Sequence, residues 1–139
     1  MLRVLTPIDG SDHALRAAGF LIKSAPLYRE PPDIHLLNVQ HPFPGTIQGV
    51  RKEAEQVHHE EGIKALVTAR KALDDAGLKY VYHISVGEVG EVIARFVKDQ
   101  KIDQVVMGTR GLGPVANMLL GSVATKVLQL VDVPVLLVH

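Results

Sequence analysis

Hydrophobic and polar positions along the chain follow two alternating periods. Five short apolar runs stand out: Leu2–Ile8, Ile34–Val39, Leu78–Ser85, Gln104–Met107 and Pro134–Val138. Runs of this length, bounded by turn residues, read as strands. Between them apolar residues recur three and four apart, which is the spacing of one helical face. The first such stretch carries Ala14, Ala18, Leu21, Ile22 and Ala25, after an Asp9-Gly10 turn and with Ser11 or Asp12 placed to cap it. A second runs from about Thr46 to Ala76, with Ile47, Val50, Ala54 and Val57, then Leu66, Ala69, Leu73 and Ala76, on one face. Gly62 interrupts it, where glycine costs about 1 kcal/mol relative to alanine, so the spacing predicts one helix bent or broken there, with Gly77 ending it. Val89, Val92, Ile93, Phe96 and Val97 give a third helix its apolar side, and a fourth runs from Ser122 to about Val131.

Strands alternating with helices predict an α/β domain spanning residues 1–139, with an open parallel five-stranded sheet covered on both faces. With right-handed crossovers the pattern permits strand order 3-2-1-4-5. Ligands of such sheets lie at the carboxyl ends of the strands where the order reverses. In that order Asp9, ending strand one, faces the segment that leaves strand four.

That segment, Gly108 to Val123, reads GTRGLGPVANMLLGSV. Its glycines Gly108, Gly111 and Gly113 allow a ligand close to the main chain. Gly121-Ser122 then opens a helix whose first amides lack intrahelical partners and carry the positive end of the helix dipole. Together these make an anion site, with phosphate the commonest large anion, and Arg110 adds a planar fork of donors. The alternative is a glycine-rich connection without a ligand. A G-x-G-x-x-G fingerprint after strand one and a Walker loop are both absent, so phosphate recognition would sit at the fourth strand.

Composition narrows the partners. Fifteen basic residues balance fifteen acidic ones, which gives no net field for nucleic acid or an anionic membrane. There is no Cys, excluding disulfides and thiolate chemistry, and aromatics are only 4%, so the core must be aliphatic. The start of the chain resembles no targeting or membrane-spanning segment, and a cytoplasmic location is expected.

Among the remaining polar residues, Asp9 suits a ribose acceptor, a Mg2+ partner, a general base or a helix cap, with binding or capping favoured over catalysis. His58-His59-Glu60-Glu61 has no second His four positions away and reads as a solvated helix face rather than a metal cluster. His35 and His83 read as polar strand positions and His41 as loop. The aliphatic last strand, Val133 to Val138, suits a sheet edge covered by a second copy of the chain, a two-fold homodimer.

Three stretches together resemble the nucleotide-binding branch of the universal stress protein family. They are Pro7-Ile8-Asp9-Gly10-Ser11, the spacing Gly108-x-x-Gly111 followed by nine residues to Gly121-Ser122, and the closing Val133-Pro134-Val135-Leu136-Leu137-Val138. The similarity spans the whole chain. It implies a Rossmann-like sheet of the adenine nucleotide alpha hydrolase type, ATP (or ADP or AMP) as ligand with Mg2+ as an optional companion, and homodimers built partly through the last strand. By position, it implies that Pro7, Ile8, Asp9 and Val39 surround adenine and ribose. Gly108, Arg110, Gly111, Gly121, Ser122 and Val123 would hold ribose and phosphates, with Met107, Thr109 and Gly113 completing the site. Ala124 stands where some ATP-binding members have Thr, with Thr125 adjacent, and Gly113-Pro114 makes the loop stiffer and less basic than in many relatives. The function implied is a nucleotide-responsive regulatory module. A slow ATPase or self-phosphorylating enzyme and a nucleotide-free dimeric scaffold are its alternatives.

Overall fold

The computed structural model describes residues 1–43, 51–111 and 119–139, with Arg51 described by its backbone alone. The strands are β1 (Arg3–Pro7), β2 (Asp33–Gln40), β3 (Tyr80–Val86), β4 (Gln104–Gly108) and β5 (Val135–Val138). The helices are α1 (Asp12–Ser24), α2 (Arg51–Asp75), α3 (Val89–Asp99) and α4 (Ser122–Leu130), and a short 3-10 turn, Ala25–Leu27, follows α1. All strand pairs are parallel and the order is β3-β2-β1-β4-β5, as the alternation of elements permits.

Neighbouring residues of each inner strand feed opposite cores, which is why these strands read as continuous apolar runs. Val4, Ile34, Leu36 and Val106 pack with Ala17, Ala18 and Leu21 of α1 and with Leu66, Ala69 and Leu73 of α2. Leu5, Leu37, Val105 and Met107 face the other way, onto Val92, Ile93 and Val97 of α3 and Ala124 and Val127 of α4. The chain changes face between α2 and α3, so the order reverses at β1 and β4, and the carboxyl ends of these two strands are left with space between them.

Helix α2 departs from its expected form in two ways. It runs unbroken through Gly62, because the missing side chain is what lets the helix lie on β3: a Cβ there would come within 2.7 Å of the Ile84 side chain. Its buried stripe is His58, Gly62, Leu66, Ala69 and Leu73, while Val57, expected inside, is 43% exposed. His58 is therefore no part of a solvated face; it stands one turn before Gly62 on the buried side. The expected start at Thr46, with Ile47 and Val50, lies outside the described residues.

The two strand histidines are more than isolated polar positions. His35 Nδ1 and His83 Nε2 lie 3.2 Å apart, and His35 Nε2 is 3.2 Å from Asp33 Oδ2. Phe96 of α3 sets its edge against both rings. Arg3 Nε approaches Asp33 at 3.6 Å. Burial, and secondly the neighbouring His35, pushes the His83 imidazole below its ordinary value.

Candidate functional site

At the carboxyl ends of β1, β2 and β4 lies a cleft of about 500 Å³, within the usual range of roughly 300–1,000 Å³ for small-molecule sites. Its lining includes Pro7, Ile8, Asp9, Val39, Met107, Gly108, Thr109, Arg110, Gly111, Gly121, Ser122 and Val123, twelve residues singled out from the sequence. Gly113 lies outside the described residues.

Each wall has a local cause. At the end of β1, the Ile8 N–H donates to Leu37 O and the Ile8 carbonyl accepts from Asn38 Nδ2 at 2.8 Å, so the chain is held past the last ladder residue. Asp9 follows, and its Oδ1 accepts from the Ser11 N–H at 2.9 Å. This fixes the carboxylate, as Asx turns do. Its other oxygen points across the cleft: a Cβ built on Gly111 would lie 2.5 Å from Asp9 Oδ2. The first strand's carboxylate and the glycine loop thus meet, and a side chain at position 111 would displace the carboxylate from this position.

The loop leaving β4 is drawn closed at its neck. The Gly121 N–H donates to Thr109 O at 2.7 Å, and the Thr109 N–H to Val138 O at 3.0 Å. Helix α4 then begins at Ser122 with Gly121 as its cap residue, which has no side chain to cap it. Its early amides are aimed at the cleft that Ser122 and Val123 line. Two buried side-chain atoms beside it, Thr109 Oγ1 and Arg110 Nε, find no hydrogen-bond partner among the described residues. Leaving such groups unpaired costs about 1–3 kcal/mol each; both atoms are shielded, so an anion in the cleft would meet the other donors of the lining residues Arg110 and Ser122. Thr125 does not replace the hydroxyl missing at Ala124: its Oγ1 donates to Gly121 O at 3.0 Å, back onto its own helix.

The opposite end is apolar and was only partly legible in the sequence. Leu37, Val39 and Val89 give the lining its apolar part there, with Asn38, Gln40 and His41 beside them. Asn38 is buried, receives Gln40 Nε2 at 2.7 Å and braces the β2 wall. Among the described residues no group of three or more His, Asp or Glu side chains is arranged to hold a metal ion. No helix among them is long and apolar enough to cross a membrane.

Relatives agree with this architecture. The chain is 33% identical over 138 residues to the universal stress protein MJ0531 of Methanocaldococcus jannaschii, covering 98% of this chain and 81% of that protein. The solved structure of MJ0577 from the same organism superposes with a TM-score of 0.81 at 27% identity, covering 99% of this chain and 94% of that one. A universal stress protein solved in complex with cAMP superposes with a TM-score of 0.72 at 25% identity, covering 99% and 97%. The family model for universal stress proteins matches residues 1–139, and the chain belongs to that family.

Proposed function

We propose that this protein binds ATP in the cleft between β1 and β4 and works as a nucleotide-responsive regulatory module. The uncapped N-terminus of α4, opening into a cleft whose far end is apolar, carries the reading. A triphosphate suits the amides of α4, the Ser122 hydroxyl and the Arg110 guanidinium. An adenine ring suits the apolar end beside Val39 and Val89. Asp9, fixed by the Ser11 N–H and facing Gly111, stands between the two ends, where a ribose hydroxyl can donate to it. Mg2+ would arrive with the phosphates, since the described residues supply no cation site of their own. The adenine nucleotide on the 25% identical relative supports the same ligand class.

The module would be one domain and a homodimer in the cytoplasm. β5 is an edge strand whose four aliphatic residues are all half-buried, a surface that antiparallel pairing with a second copy would cover. Sedimentation at twice the 15.1 kDa chain mass is the expected result.

Calorimetric titration at micromolar protein tests the central reading. ATP should release or absorb heat with saturable 1:1 stoichiometry, and ADP more weakly. No heat from either nucleotide, with or without Mg2+, would refute it.

A further inference from the structure

The wall of the cleft beyond Val39 is held from outside its own strand. The last residues of β2 continue as Gln40 and His41, both lining the cleft, and then to Phe43. Gln40 is anchored within the sheet, its carbonyl accepting from the Gly87 N–H at 2.9 Å. His41 is anchored by a helix: His58 Nε2 lies 2.9 Å from the His41 carbonyl oxygen. A carbonyl can only accept, so Nε2 carries the proton and the tautomer is set by this contact. The Phe43 ring stacks on the same imidazole, centroids 4.4 Å apart and planes 14° from parallel.

His58 is 8% exposed, although its neighbours Val57, His59 and Glu60 are all exposed. A buried imidazole in such a stretch needs a partner to offset its desolvation, and the His41 carbonyl supplies it. Its place on α2 is fixed in turn. Gly62, one turn on, is seated against Ile84 of β3, so the imidazole and the wall it holds are both referred to the sheet.

We propose that His58 is a positioning residue of the nucleotide cleft: its Nε2–H and ring hold the His41–Phe43 segment as a fixed wall for the base and ribose end of the ligand. The inference rests on the ATP reading above and deepens it, since it assigns the two ends of the cleft to separate supports. The phosphate end depends on α4 and Arg110, whereas the base end depends on α2 through His58.

The test compares ATP with inorganic tripolyphosphate, which has the charge and no base, on the wild type, His58→Ala and His58→Gln. Glutamine places an amide N–H near the position of Nε2 and should restore the contact. In His58→Ala, ATP affinity should fall about three- to tenfold, as for loss of one neutral hydrogen bond, with tripolyphosphate affinity within twofold of wild type. His58→Gln should recover most of the ATP affinity. Should the alanine variant not fold, His58→Phe keeps the ring and removes the donor, with the same expected loss. Unchanged ATP affinity overturns the proposal, and so does an equal loss for both ligands, which would mark a general loosening. Wild-type protein that binds neither ligand instead sinks the nucleotide reading itself. In that case faster amide exchange at residues 41–43 in His58→Ala, restored in His58→Gln, would still report the tie.

Discussion

Two neighbouring helices on one face of the sheet begin at the same edge and meet the same physical need in opposite ways. Every helix start exposes amides without intrahelical partners. At α3 the Glu88 carboxylate fills that need, accepting from the Gly90 and Glu91 N–H groups at 3.3 and 2.8 Å. The Glu91 N–H, with help from Lys126 and the Gly90 N–H, holds the Glu88 carboxyl below the usual carboxylate range. At α4 the corresponding residue is Gly121, which has no side chain to offer. Helix α1 behaves like α3, with Ser11 Oγ accepting from the Ala14 N–H at 3.2 Å. Of these three starts, the one whose cap residue has no side chain is the one whose cap residue, Gly121, itself lines the cleft. Lys126 of α4 also reaches Glu88 and Glu91, at 3.3 and 3.7 Å, and so ties α4 to the capped start of α3. The contrast traces the lack of a side-chain cap at α4 to one residue choice, Gly121.

The largest expected effect comes from making α4 resemble α3. Gly121→Asp supplies the missing cap and places a negative charge where a phosphate would sit, and ATP affinity should drop by about a hundredfold or more. Its backbone there is extended, φ −72° and ψ 167°, so the dihedrals accept a side chain, while the new Cβ, 3.3 Å from the Arg110 Cα, presses on the loop by a few tenths of an ångström. Calorimetry showing affinity within threefold of the wild type would break the comparison.

Arg110→Ala and Ser122→Ala remove single donors and should each weaken ATP by about tenfold to a hundredfold, the range for hydrogen bonds to a charged group. A loss below twofold in both would take the loop out of the phosphate site. Ser11→Ala probes a cap with no ligand task. It should cost about 1 kcal/mol in denaturant-measured stability and leave ATP affinity within threefold.

The smallest effect concerns pH. Folded His83 holds its proton less readily than the unfolded chain, so the unfolded state takes up protons first as pH falls below the ordinary histidine value of 6.5. Stability should therefore decline from there on acidification. Melting curves from about pH 7.5 to about pH 5.5 should show less of this decline in His83→Gln. Equal acid sensitivity in both proteins would remove the half-buried histidine pair from the balance.

Strands and most of the cleft were legible because they rest on local signals, apolar runs for the strands and glycine spacing with a helix start for the site, whereas the alternation of elements permitted the strand order without fixing it. Asp9 and Gly111 could be brought together on paper because strand order alone sets them side by side. What escaped depended on side-chain meetings across the sheet. His58 could not be separated from Val57 by periodicity, since adjacent helical residues differ by one step of phase. Gly62 decides the matter, and its partner Ile84 is 22 positions away in a different element. The His35 and His83 contact is likewise a matter of β2–β3 register, and Asn38 became a wall brace only once the Ile8 carbonyl stood beside it.

Helix α4 contains neither glycine nor proline and spans nine residues, about 14 Å of stiff rod. One tip is Ser122 at the cleft; the other, Leu130, delivers the chain to the edge strand β5 five positions later. A single stiff element thus borders both the cleft and the approach to the edge strand.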